Sequence, residues 1–180
     1  MKSFAQYITE LFDSNDIIPL TMVKFPPKPR NTPARRQAEL TWSGNWLVNG
    51  KPHRFEAGAR RIYDAGSSDP QRNPEDPDEV VGWTFSFTID GDYSPSAGQE
   101  VEMKSETIRI FATALEAIRQ LIKEYDPKTI RFSAEKDKNK KDSRVRLYDS
   151  LITRFAAQHG YKLMQRSEDQ FVQMYALEKK

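Results

Sequence analysis

Apolar and polar positions change period several times along the chain, and each change marks an element. In SFAQYITELF, residues 3–12, Phe4, Tyr7, Ile8 and Leu11 recur at helical spacing and predict a short amphipathic helix. KFPPKPRNTP follows with four prolines in ten residues, which fixes φ, removes donors and predicts an extended connector. From Glu39 to Tyr63 the pattern alternates, with Leu40, Trp42, Trp46 and Val48 apolar, and Asn49-Gly50 has the residue types of a tight hairpin turn. DAGSSDPQRNPEDPDE, residues 64–79, has three prolines, six acids and nothing to bury, so it reads as a surface loop. In VVGWTFSFTIDGDY, Val81, Trp83, Phe85, Phe87 and Ile89 point one way and Thr84, Ser86 and Thr88 the other, as in a strand.

The second half alternates helix and strand. SPSAGQEVEMKSE is a loop that ends in a predicted N-cap at Ser105. The helix after it, residues 106–125, places Ile108, Phe111, Ala112, Leu115, Ile118 and Ile122 on one stripe. Ile110, Ala114, Ala117 and Leu121 widen that stripe, so cover is expected on more than one side. KTIRFSAE is a short strand and KDKNKKD a charged loop. Val145, Tyr148, Leu151, Ile152, Phe155, Ala156 and His159 then mark a helix that stops at Gly160, with His159 expected as a cation at its C-terminus. YKLM and FVQMYALEK, separated by QRSEDQ, predict a terminal hairpin.

A strand–helix–strand unit requires a right-handed crossover and parallel strands. The predicted class is therefore α+β (α/β): a mixed sheet with a central parallel strand pair, an N-terminal antiparallel hairpin and a C-terminal hairpin. Residues 1–37 form an N-terminal helix and proline-rich arm, and residues 38–180 the domain proper.

Composition narrows the chemistry. The 180 residues include no cysteine and two histidines, His53 and His159, which excludes disulfides and thiolate catalysis and argues against structural zinc. No apolar run reaches the length of a membrane span, and the first 16 residues are too polar for a signal peptide, so a soluble intracellular protein is expected. The net charge of +2 is unevenly spread. Residues 24–61 hold nine Lys/Arg against two Glu, and residues 128–146 hold eight against three acids. Such blocks read first as solvated faces and second as attractors of phosphate or of an acidic partner.

The order from residue 81 onward, together with LYDSLITRFAAQHGYKL, resembles the C-terminal half of the GNAT N-acyltransferase superfamily. The resemblance covers the last 100 of 180 residues. It implies a GNAT-like fold in which acetyl-CoA would sit between strands 81–89 and 129–134, its pyrophosphate on a Gln/Arg-x-x-Gly-x-Gly/Ala loop. GQEVEMKSETIRIF stands there instead, and no glycine lies between Gly98 and Gly160. The backbone at Lys104, Ser105, Glu106 and Thr107 is the remaining candidate for holding an anion, opposed by Glu102 and Glu106. The family's proton-donating tyrosine should precede the Gly-aromatic pair by about a turn; Phe155 stands nearest, and Tyr148 is the only tyrosine candidate, about three turns before Gly160. A base for an amine would be Glu39, Glu56 or Asp90.

MKSFAQYITE is similar to the N-terminal segments of tailed-bacteriophage proteins, head proteins among them. Ile8, Thr9 and Glu10 fit the Leu/Ile-x-Glu pattern cut by prohead proteases, and residues 110–156 resemble uncharacterised phage proteins with a GNAT-like fold. These resemblances imply a non-catalytic bacteriophage protein, without cofactor, that acts by protein–protein binding. It would be a virion head or tail component or a host-interaction factor, located in the host cytoplasm or the virion, with the arm at 24–37 contacting phage structural proteins. Two alternatives stay open. One is an acetyl-CoA-dependent N-acyltransferase. The other is a nucleic-acid binder that stacks bases on Trp42, Trp46 and His53 beside Lys51, Arg54, Arg60 and Arg61, although nucleic acid is not the expected partner.

Overall fold

The computed structural model describes residues 16–26, 38–63, 80–91, 103–135, 143–168 and 172–180. The helix expected at 3–12, with Ile8, Thr9 and Glu10, lies outside them. So do most of the proline-rich arm, the acidic 64–79 loop, residues 92–102 of the loop before Met103, and the charged loop after Glu135.

Seven strands form one mixed sheet: β1 (Thr21–Lys24), β2 (Leu40–Val48), β3 (Lys51–Tyr63), β4 (Val80–Ile89), β5 (Thr129–Glu135), β6 (Tyr161–Glu168) and β7 (Val172–Lys179). Their spatial order is β1-β2-β3-β4-β5-β7-β6. Two helices connect them, α1 (Met103–Tyr125) and α2 (Ser143–Gln158). The sheet is antiparallel except for β4 and β5, which run parallel at its centre. The expected α+β class, parallel pair and two hairpins are therefore present.

Alternation produces the strands as expected. Along β2, Leu40, Trp42, Trp46 and Val48 are buried while Leu47 is exposed. Asn49 and Gly50 have φ of 50° and 79°, as a type I′ turn requires, and this sets the β2–β3 register at Val48↔Lys51. Trp83 packs on Tyr125 with ring centroids 4.8 Å apart, and Phe87 on Phe111 at 6.2 Å. The Tyr175 hydroxyl donates to Asp149 of α2. These contacts share one side of the sheet, so both helices cover the same face. Thr41, Ser43, Glu56, Arg60, Thr84 and Ser86 occupy the other.

The wide apolar stripe of α1 is covered on two sides. One side meets the sheet, where Trp42 Nε1 donates to Gln120 Oε1 at 3.0 Å. The other meets residues 16–20: Ile18 is fully buried and its N–H donates to Thr113 Oγ1 at 2.9 Å. That segment leads into β1, an edge strand on β2 that the alternation did not reveal. Two boundaries also differ from expectation. Helix α1 begins at Met103, because Met and Lys are good helix formers, so Ser105 lies inside the first turn and is not its cap. Strand β6 continues through QRSE; a bulge between Leu163 and Gln165 shifts the alternation there, which made this stretch read as loop.

Helix α2 ends as predicted, with Gly160 at φ 75°. Tyr161 follows, buried, its hydroxyl donating to the Pro127 carbonyl at 2.6 Å. Burial, reinforced by the Asp126 charge, pushes its pKa up to about 12 from 10.0. The folded state thus holds this proton more tightly than the unfolded state does. Its contribution is intact below pH 10 and is lost as pH rises towards 12. Thermal melts over that range should show the wild type losing stability more steeply than Tyr161→Phe, which lacks the phenolic proton at this buried position.

Candidate functional site

In a sheet with helical crossovers, ligands favour the crevice beyond the carboxyl ends of parallel strands. Here the two parallel strands diverge towards that end. β4 and β5 pair at three positions, Trp83↔Ile130, Thr84↔Arg131 and Phe85↔Phe132. β4 then continues to Ile89, and β5 to Glu135 on β7 alone, so the two strands part after Phe85 and Phe132. The ring contacts of Phe111 and Tyr125 show α1 running antiparallel to β4, which brings its first turn to this same end.

Lys104, Ser105, Glu106 and Thr107 lie in the opening residues of α1, where backbone N–H groups lack helical partners. Electrostatics there do not suit a diphosphate. Glu106 stands in the first turn with Oε2 buried, 3.7 Å from Arg109, while Arg109 Nε lies 3.1 Å from Asp16 Oδ1. Arg109 is thus shared between two acids, and an incoming anion would face the Glu106 carboxylate. With no glycine in this turn for close backbone approach, these residues do not fit the pyrophosphate of acetyl-CoA.

The three candidate bases separate. Glu39 lies by Arg61, with Oε2 3.4 Å from Nε, and the Arg61 guanidinium stacks 5.5 Å from the Trp83 ring. Glu56 faces away from the helices and pairs with Arg54 at 2.8 Å. Asp90 alone stands at the carboxyl end of β4, in a left-handed conformation at φ 54°. Its Oδ1 accepts from the Arg54 N–H at 2.7 Å, and its Oδ2 lies 2.8 Å from His53 Nδ1. A proton on Nδ1, donated to the carboxylate, leaves the His53 lone pair on Nε2. Trp46 packs beside His53 with ring centroids 5.3 Å apart, and its Nε1 is a buried donor with no partner. His53 and Asp90 lie 37 positions apart in the chain, and only the β3–β4 register, Phe55↔Ile89, joins them.

Other candidates fall elsewhere. Trp42 and Trp46 are 1% and 6% exposed, so neither offers a ring face for a nucleobase. Phe155, nearest the position of the family's tyrosine, is 1% exposed and packs on His159 at 4.4 Å. Burial, helped by Arg119, holds the His159 pKa below its ordinary value, so the C-terminal cation expected there is disfavoured. Tyr148 lies on α2 about three turns before Gly160. Among the described residues no cluster of three or more His, Asp or Glu could hold a metal, and no helix is long and apolar enough to cross a membrane. The chain matches no protein-family model, no curated protein and no solved structure.

Proposed function

We propose that the chain is a GNAT-like protein of a tailed bacteriophage that works by binding another protein and not by transferring acyl groups, either in the virion or on a host factor. Strand order and the early parting of β4 from β5 support the GNAT-like assignment. Phe155 carries the binding reading: where an acyltransferase of this family would present a tyrosine to the departing thiolate, this chain has a hydrocarbon ring sealed in its core. A charged first turn of α1 in place of a glycine cradle points the same way. On this reading the arm at 24–37 contacts phage structural proteins, and the segment ending at Ile8, Thr9 and Glu10 is open to processing.

Acetyl-CoA separates this reading from its rival. A ligand at 100 times its Kd adds about 2.7 kcal/mol, which is several degrees in Tm for a domain of this size. The expected result is an unchanged Tm at millimolar acetyl-CoA and no thiol release with amine acceptors. Because the chain has no cysteine, a thiol reagent would report coenzyme alone. A rise of several degrees would overturn the proposal. Mass spectrometry of purified particles gives the second arm, with peptides of this chain expected there or in host pull-downs.

The acyltransferase reading has one observation in its favour, the His53–Asp90 pair, which sets an imidazole on a carboxylate at the carboxyl end of β4. If the thiol assay is positive, His53→Gln should abolish it.

A further inference from the structure

The face of the sheet that carries no helix among the described residues has a groove of about 410 Å³ between β3 and β4. Its lining follows from the strand register, which sets Glu56 against Thr88, Gly58 against Ser86 and Arg60 against Thr84. The result is a row of three hydroxyls beside a row made of a carboxylate, a bare glycine and a guanidinium. Gly58 forms the floor, and Ala38 crosses at one rim so closely that a Cβ on Gly58 would fall 2.9 Å from the Ala38 Cβ. Ala57, Ala59 and Phe87 contribute only backbone to the lining, since their side chains point to the helix face; the Phe87 ring stacks on Phe55 at 5.7 Å. No aromatic ring is therefore offered to a nucleobase or a sugar.

We propose that this groove binds an extended segment of a partner protein that carries a Lys or Arg and an Asp or Glu four residues apart. The inference rests on the protein-binding reading above and names the chemistry of the partner. Two features carry it. Thr88 is 8% exposed and closes the row at one end; the hydroxyls of Thr84 and Ser86 stand two residues apart, about 6.6 Å, which is the repeat of same-side backbone groups in an extended chain. Each hydroxyl can donate to a peptide carbonyl or accept from a peptide N–H, so the row reads backbone whatever the side chains. Glu56 and Arg60 stand four residues apart on one side of β3, about 13 Å, and select a cation at one end and a carboxylate at the other. The Glu56–Arg54 pair does not lock the site: both side chains are over 40% exposed, and such a solvent-screened surface pair gives way readily to an incoming charge.

Titration of the 15N-labelled full chain with three capped pentapeptides tests this: Lys-Gly-Ser-Gly-Glu, Lys-Gly-Ser-Gly-Lys and Glu-Gly-Ser-Gly-Glu. The expected result is amide shifts confined to residues 56–60 and 84–88, with the mixed-charge peptide binding about five-fold more tightly than either control. Arg60→Glu, an exposed change checked for folding by circular dichroism, should transfer the preference to the Lys/Lys peptide. Shifts absent at millimolar peptide, or equal affinities in both proteins, would overturn the proposal. A flat titration leaves the acetyl-CoA result where it stands, and a stabilising response to acetyl-CoA leaves the titration where it stands, so the two failures are distinguishable.

Discussion

Replacing Trp42 with alanine is expected to destabilise the fold by about 3–5 kcal/mol, the range for removing a large buried aromatic side chain. Three losses coincide at this residue. Its ring is 1% exposed, so nearly all of its apolar surface is out of water. It packs at 6.0 Å on Phe85, a residue of the parallel pair. Its Nε1 satisfies Gln120 of α1, which in turn donates to Glu116, so alanine leaves a half-buried amide oxygen without its donor. Trp42→Phe separates these terms: it keeps most of the ring and loses the N–H, and should cost about 1–2 kcal/mol. Urea melts with the m-value held as a check on two-state behaviour would measure both. A loss below 1 kcal/mol for alanine would mean that the β2–α1 contact is not part of the core.

Gly82→Val is expected to cost about 2–3 kcal/mol, even though valine favours strands and glycine does not. A Cβ at this position would lie 2.6 Å from the Thr129 carbonyl oxygen and 2.8 Å from Thr129 Cβ. Both atoms belong to β5 at the start of the parallel pair, and neither is the far end of a flexible side chain. Strand propensity returns at most about 1 kcal/mol, while overpacking a closed site costs roughly 1–3 kcal/mol and more where backbone must move. Ser86→Val, on the exposed side of the same strand, is the control and should change stability by less than about 0.5 kcal/mol. Equal effects of the two would show that β4 and β5 do not approach as closely as Gly82 and Thr129 indicate.

Much of this architecture was legible because its signals are local. The Asn49-Gly50 turn fixes one hairpin, the four-residue spacings of α1 and α2 fix two helices, and Gly160 ends the second. β1 was not legible, although Ile17, Ile18, Thr21 and Val23 supply strand-forming residues. It is four residues long, mostly exposed, and defined by a partner strand about twenty positions away. The joining of His53 to Asp90, and of Glu56 and Arg60 to the hydroxyls of β4, depends on the β3–β4 register. A long acidic connection sets no register in advance, so these pairs are visible only once the strands are aligned. The separation of Glu39, Glu56 and Asp90 follows from the same alignment.

The brief pairing of β4 with β5 divides the sheet into two antiparallel blocks, each continuous in its hydrogen bonding: β1 to β4 on one side, and β5, β7 and β6 on the other. Either block can assemble largely from its own stretch of chain. What unites them is three rungs of pairing and the helix that carries the chain from β4 to β5, so α1 acts as a clasp. Insults that loosen that clasp would be felt as a parting of the protein into halves before either half comes undone.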